Sequence, residues 1–435
     1  MREFAVTHSA FYRVFHRGLQ QRPLQHLPIL TKATLMERFD ELVTARDVRL
    51  ADAEAYLRNE DGSRPFRDQY VVMSTSGSTG RRGVFVLSPR EWTRALASIT
   101  RPIGWVRQAV KTGKGAPRSA LIASSAPWHY SARVGRALAT SIVPTLRLDA
   151  AMPIDAMVAR LNEWQPVSMA TYPSVLRELA AAQCAGALKI QLQVIASSAE
   201  VLTAETRAAV RRAWGDITLQ DTYGATEYAP IATECMHGRK HLFEDGAIIE
   251  VADDEGRVLP PGEMGTRLLL TVFERHTQPL IRYEISDRVR LTGEQCPCGR
   301  PFRVIESIEG RQEDVLYFDH AAAGLVAVHP NRFHDTLERF AVTAWQVVHD
   351  DRVLTVRLLG AHDAALRAAV EREVRAMLAS AGAQTPHIEI LAVDQLERGA
   401  TGKAPLILSR RPWPVRDQVG TGGDAHWVGP RVTPE

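Results

Sequence analysis

The chain is poor in cysteine, with four in 435 residues, too few and too scattered for a disulfide framework. It has no apolar run approaching the length of a membrane span. Its first residues, Met1-Arg-Glu-Phe-Ala-Val-Thr-His8, lack the apolar segment of a signal peptide. These absences make the cytoplasm the expected compartment, with no membrane partner. They also make free thiols or a metal site the expected use of the cysteines. An excess of one charge is missing too. The 53 Lys and Arg against 50 Asp and Glu leave +3, so the bulk charge makes no case for nucleic acid. What is there, 45% hydrophobic and 24% charged, is ordinary for a globular protein and long enough for two or three domains.

One stretch organises the rest. Tyr70–Met73 and Val84–Leu87, rich in β-branched and aromatic residues, read as two strands. Between them lie Thr75, Ser76, Gly77, Ser78, Thr79, Gly80 and Arg81. Glycines let such a backbone curl, and curled backbone aims several N–H groups at one spot, which suits phosphate oxygens. The Walker pattern is excluded, because it needs Gly-Lys-Ser/Thr opening a helix and a strand follows here. A plain polar hairpin turn is the competing reading.

Residues 1 to about 68 read as helical scaffold, with Thr31–Val43 as one packed helix. Strands then alternate with helices. The predicted helices are Glu91–Val110, Arg133–Thr140, Ile154–Trp164, Pro173–Cys184 and one capped by Thr203 that ends near Trp214. The predicted strands are Ser119–Ser124, Ser141–Leu146, Ser168–Thr171 and Ile190–Ala196. This alternation argues for an α/β fold with a parallel sheet, whose ligands sit where loops leave the carboxyl ends of strands. Three polar stretches follow such strands. Trp128, His129 and Tyr130, with Tyr172, read either as walls of an organic-substrate pocket or as a core corner. Ser197-Ser-Ala-Glu200 is a small polar turn. Tyr223-Gly-Ala-Thr-Glu227 offers a ring face for a base, a Gly for close approach, a hydroxyl, and a carboxylate for Mg²⁺.

From Phe243 to Leu316 short alternating strands with Gly turns suggest a small antiparallel β subdomain, carrying Asp287 and Arg311 as candidate ribose or phosphate ligands. From Val315 a separate α+β unit is expected, with a helix over Ala361–Ser380, ending in the Gly-flanked loop that presents Lys403. Arg411–Glu435, rich in Pro and Gly, reads as a disordered tail. Cys235, His241, Cys296 and Cys298 form a Cys₃His set suited to a structural Zn²⁺, with His237 as competing nitrogen and ordinary reduced thiols as the plain alternative. Cys184 lies on a predicted helix and reads as core.

Five ordered motifs resemble the acyl-adenylate-forming superfamily, in its phenylacetate–CoA ligase and coenzyme F390 synthetase-like branch, from about Leu27 to Leu408. They are Thr75–Gly80, Asp221–Glu227, Arg282–Asp287, Gly310–Asp314 and Gly402-Lys403. The resemblance implies a large ATP- and acid-binding domain (1–313, with 243–313 as its β subdomain) and a small lid (314–410). By position, it implies that Tyr223 and Gly224 receive adenine, with Ser198 and Glu200 on the adenine-side turn. Thr226 contacts the α-phosphate, Glu227 holds Mg²⁺, and Asp287 and Arg311 bind ribose. Glu313 is the hinge and Lys403 the catalytic lysine. Arg81 stands where the family has Lys, and Ile285-Ser286 where it has Thr-Gly. The implied reaction joins an aryl or other compact carboxylic acid to AMP from ATP, then passes the acyl group to CoA. An amine or a carrier-protein thiol as acceptor, or a non-catalytic homologue, are the alternatives, and a homodimer stays open.

Overall fold

The computed structural model describes residues 1–59, 64–75, 82–106, 117–137, 144–311, 315–320, 324–328, 330–337, 339–350, 353–398 and 404–410. The chain opens with short helices α1 (Arg2–His8), α2 (Ala10–Phe15), α3 (Lys32–Glu37), α4 (Phe39–Leu42) and α5 (Leu50–Asn59). The single helix expected over 31–43 is therefore two. Arg38 leaves helical geometry (φ −112°, ψ 21°), yet Leu35, Met36, Phe39 and Leu42 still face one core, so apolar spacing alone did not reveal the step. The hairpin β1 (Val71–Ser74) and β2 (Val84–Leu87) pairs antiparallel, one residue later in its first strand than the pattern suggests.

Next come α6 (Pro89–Val106), β3 (Ser119–Ala123), α7 (Tyr130–Ala137), β4 (Thr145–Asp149), α8 (Ile154–Trp164), β5 (Ser168–Thr171), α9 (Pro173–Cys184), β6 (Val194–Ser198), α10 (Ala204–Trp214) and β7 (Thr218–Tyr223). Of the strand expected from Ser141, residues 141–143 lie outside the described residues, and β4 begins at Thr145 because Pro144 cannot donate to a ladder and instead precedes the strand. Strand β6 is shifted likewise, from 190 to 194. Ile190 and Leu192 pack into the core from irregular chain, and the pairing begins only opposite Ser168 and Thr218. Helix α7 begins at Tyr130, three residues before the expected start. Thr203 caps α10 by accepting from the Thr206 N–H, as expected.

The strands β8 (Ala232–Glu234), β9 (Lys240–Leu242), β10 (Ala247–Ala252), β11 (Met264–Gly265), β12 (Arg267–Val272), β13 (Tyr283–Ile285), β14 (Asp287–Thr292) and β15 (Val304–Arg311) follow. They divide between two sheets. β10-β12-β13 form one, while β8, β9, β11, β14 and β15 extend the parallel strands into a ten-stranded sheet ordered β11-β14-β15-β9-β8-β7-β6-β5-β3-β4. Strands β3 to β7 of that sheet are mutually parallel and the remainder pair antiparallel. The molecule is thus α/β with a long mixed sheet. Beyond it lie β16 (Leu316–Asp319), β17 (Leu325–Val328), α11 (Pro330–Leu337), β18 (Ala344–His349), β19 (Val353–Leu359), α12 (Ala364–Ser380), β20 (His387–Val393) and β21 (Ile407–Ser409), with Asp363 capping α12. Four of these strands make a sheet of their own, β20-β19-β18-β21.

Among the described residues, the three largest cores follow this division. One joins the N-terminal helices, the hairpin and β10-β12-β13; the second lies between the parallel strands and α8–α10; the third belongs to the C-terminal unit. No described helix is long and apolar enough to cross a membrane.

Arg282 fastens the first core from within. Its guanidinium pairs with Glu250 (3.2 Å) and donates to the carbonyls of Gln25 (2.9 Å), Leu27 (2.7 Å) and Gly256 (2.8 Å). Burial pushes the Glu250 carboxyl upward and Arg282 opposes the shift. Removing the guanidinium strands a buried carboxylate and three carbonyls. Arg282→Ala is therefore expected to cost about 3–5 kcal/mol in a chemical denaturation curve of the large unit, whereas a loss below about 1 kcal/mol contradicts this role.

Candidate active site

The parallel strands place their carboxyl ends side by side, so the loops after β3, β6 and β7 open on one edge of the sheet. These loops carry the three polar stretches singled out in the sequence. Ser198 ends β6 opposite Thr222, the residue before Tyr223. At the end of β7 the Tyr223 hydroxyl donates to Asp287 Oδ2, although 64 residues separate them. Asp287 opens β14 and lies in register with Arg311 of β15. Tyr223, Asp287 and the Arg311 backbone thus meet at one place. Gly224 stands where an added Cβ would come 3.0 Å from the Ala229 Cβ, so this turn has little room for a side chain.

Thr226 is half-buried, and Glu227 beyond it is buried. Glu227 Oε1 accepts from the Tyr283 hydroxyl at 3.0 Å, and the Glu227 carbonyl accepts from Arg275 Nη1 at 3.2 Å. Burial presses the Arg275 guanidinium down, opposed by Glu91 and Glu227. Arg275 also donates to Gln278 Oε1 (3.4 Å), and Glu91 accepts from the Thr277 N–H (2.7 Å). Gln278 in turn receives the Val86 N–H (3.0 Å) and donates to the Val84 carbonyl (3.0 Å). A buried polar network therefore connects Glu227 to strand β2 of the Gly-rich hairpin. The sequence reading did not find Glu91, Arg275, Gln278 or Tyr283. Two of them, Arg275 and Gln278, lie in the stretch Phe273–Pro279, whose only signal is its density of polar residues, and that signal does not tell a buried loop from a solvated one; Tyr283 stands inside the Arg282–Asp287 motif.

The hairpin neck is closed by Thr75, whose N–H donates to Gly83 O (3.0 Å) and whose hydroxyl accepts from the Gly83 N–H (2.9 Å). Ser76, Gly77, Ser78, Thr79, Gly80 and Arg81 lie outside the described residues, as do Glu313, Lys403 and the tail. The neck abuts the β3 loop, where Trp128 O accepts from the Ser74 N–H (3.1 Å) and Arg82 lies 5.9 Å from the Trp128 ring centre. The other pocket candidates tie loops together. Tyr130 donates to Ala229 O (3.2 Å). His129 Nδ1 meets Ser131 Oγ (2.9 Å), which meets the Tyr172 hydroxyl (3.1 Å), itself accepting from the Ser124 N–H (2.9 Å). Glu200 caps α9, accepting from Ser174 N–H (2.9 Å) and Ser174 Oγ (3.1 Å). The residue before it, Ala199, sits at φ +72°, in the left-handed region that favours glycine.

A second cluster lies on the β8–β9 turn. The ligand atoms of Cys235, His241, Cys296 and Cys298 lie within 4.8 Å of one another. Cys235 Sγ is 3.6 Å from Cys296 Sγ, and Cys298 Sγ is 3.3 Å from His241 Nε2. The Phe302 carbonyl lies 3.3 Å from His241 Nδ1, which leaves Nε2 facing the sulfurs. Burial, with Arg300 and Arg239, holds the His241 imidazole below its usual range. Cys184, expected in the core, is exposed. The cluster adjoins β7 through Lys240, whose ammonium pairs with Asp221 (2.7 Å) and Glu234 (3.4 Å).

A family model described as AMP-binding enzyme matches residues 5–269, more than half of the chain. A phenylacetate-coenzyme A ligase from Thermus thermophilus is 33% identical over 133 residues, 29% of this chain and 29% of that protein. Protein CapK from Staphylococcus aureus is 22% identical over 278 residues, 62% of this chain and 55% of its own length. The chain thus spans less than two thirds of either curated relative. The structure of 2-hydroxyisobutyryl-CoA ligase in the postadenylation state, in complex with R3-HIB-AMP, superposes with a TM-score of 0.68. It shares 18% identity and covers 94% of this chain and 86% of that one, a likeness of fold.

Gln278 offers a direct check of the buried network. Gln278→Ala leaves the Val86 N–H and Val84 carbonyl unpaired, with an expected cost of about 1–3 kcal/mol and faster amide exchange at Val86. Unchanged exchange at Val86 contradicts the assignment.

Proposed function

The chain belongs to the AMP-binding enzyme family, on its adenylate-forming, phenylacetate–CoA ligase-like branch, and from that premise we propose that it activates a compact organic acid with ATP. The observation that carries this reading is the contact of Tyr223 with Asp287 at the carboxyl edge of the sheet, with Glu227, in the same loop as Tyr223, held by Tyr283 and connected through Arg275 and Gln278 to strand β2 of the Gly-rich hairpin. The acid's carboxylate oxygen attacks the α-phosphorus, the bond to the β-phosphate breaks, and pyrophosphate leaves. The CoA thiol then attacks the acyl carbonyl of the adenylate and AMP departs.

Each side chain has work in this scheme. With its hydroxyl held by Asp287, the Tyr223 ring keeps a fixed orientation in which its face can stack on adenine. Asp287 has acceptor capacity for ribose hydroxyls, because a carboxylate takes several donors. Thr226 is assigned to the α-phosphate and the backbone of 75–81, with Arg81, to the β- and γ-phosphates. Glu227 suits a magnesium ion, since Tyr283 orients one oxygen and leaves the carboxylate's further lone pairs for a cation. Magnesium, when bound, supplies positive charge to the phosphates. Lys403 neutralises charge as two anions approach, which is the main barrier in such a reaction. With the Tyr130 and Tyr172 hydroxyls engaged in loop contacts, the half-buried Trp128 is the ring assigned to the acid.

The test is pyrophosphate exchange into ATP, run with a panel of acids that starts from phenylacetate. Acid-dependent exchange is expected, and Lys403→Ala should slow it by about 10²–10³, the size of losing one preorganised donor. An exchange rate in that variant equal to the parent's would refute the lysine's assignment.

For the cysteine cluster we propose a structural zinc ion. Tetrahedral zinc with Zn–S near 2.3 Å and Zn–N near 2.0–2.1 Å sets ligand atoms about 3.5–3.8 Å apart. The observed separations of 3.3 and 3.6 Å are close to this span. The Phe302 carbonyl supplies the outer-shell partner that orients a ligating imidazole. Elemental analysis is expected to return one zinc per chain, lost in Cys296→Ser; chelator-free protein without zinc would end the proposal.

A further inference from the structure

The C-terminal unit touches the carboxyl edge of the large sheet through a partly buried side chain that none of the assignments above uses. Chain leaving β20 reaches Arg398, whose Nη2 donates to Glu178 Oε1 on α9 and whose Nη1 donates to the Ala150 carbonyl (3.3 Å) just after β4. The two side chains of the pair are only 17% and 14% exposed. Glu200 and Arg177 also act on Glu178, so the guanidinium enters a corner that holds charges of both signs beside α9.

On its own side Arg398 stands on a rigid frame. Buried Gln346 donates to the carbonyls of Glu397 (2.8 Å) and Pro405 (2.9 Å) and accepts from the Glu397 N–H (3.1 Å). The Glu397 carboxylate pairs with Arg357 (2.5 Å) and Arg410 (2.9 Å). Both ends of the segment that contains Lys403 are therefore tied to the C-terminal sheet, and Arg398 ties that sheet to α9. Five residues span at most about 17 Å, so the anchor also bounds the distance from Arg398 to Lys403.

We propose that Arg398 is a positioning residue, whose pair with Glu178 holds the C-terminal unit against the sheet edge for the ATP-dependent half-reaction. This rests on the adenylating function proposed above. An ion pair shielded this far from solvent is strong enough to favour one arrangement, and a single side chain can release it.

The test is a double-mutant cycle on the full chain with Arg398→Ala, Glu178→Gln and both together. Nitroxides on the exposed Cys184 and on Arg372→Cys in α12 report the distance between the two units by pulsed electron resonance. The parent is expected to give one dominant distance, each single variant a broadened distribution, and the double variant nothing further. Pyrophosphate exchange should fall about tenfold or more in each single variant, the scale of a charged hydrogen bond. Thioester formation from preformed acyl-adenylate should hold or rise. Unchanged distances, effects that add independently, or equal losses in both half-reactions would overturn the proposal. If the parent itself shows no exchange, the functional reading falls, and the distance measurement alone decides whether the pair orients the two units.

Discussion

The hydrogen bond from Tyr223 to Asp287 is the contact on which the rest of the site depends. It joins the last parallel strand to the antiparallel half of the same sheet, so two chemically different loops share one edge. A hydrogen bond to a charged group contributes on the order of 1.5–3 kcal/mol, enough to fix a ring but not to hold a loop alone. The remaining restraint comes from beneath. The Asp221–Lys240–Glu234 ion pairs brace β7 against β8 and β9, and Glu234 also binds Arg207 of α10 at 2.5 Å.

The neighbouring Glu227 is restrained in the same way. Tyr283 and Arg275 hold its carboxylate and its carbonyl, and Gln278 transmits that restraint to β2. Buried polar groups of this kind are costly unless all are paired, and once paired they hold one arrangement firmly. The proposed role, bringing two anions together, needs such rigidity, because solvent that could reorganise around the charges would raise the barrier.

Much of this was legible in the sequence because it follows from strand order. The run Ile190–Ala196 and the run leading into Tyr223 read as strands of a parallel sheet, and parallel strands put their loops on one edge. The Cys₃His set was legible from residue type, and the fold brings its four members together across 64 residues of chain. Pro144 was a visible signal that went unused, and it alone would have placed β4 correctly. The break at Arg38 was hidden, since both helices present their apolar residues to one core. The partners of Glu227 were hidden for another reason. Gln278 and Arg275 look like loop surface, and only the closure of β12 and β13 over the hairpin buries them. Arg398 and Glu178, 220 residues apart, carry no local pattern at all.

The central claim is that Tyr223, Asp287 and Glu227 surround one nucleotide. A calorimetric titration of ATP with magnesium into the parent chain and into Asp287→Ala tests it most directly. The account predicts one site per chain in the parent and affinity at least about tenfold weaker in the variant, the loss of one charged hydrogen bond. No heat in the parent under any condition, or equal affinity in both, would contradict it.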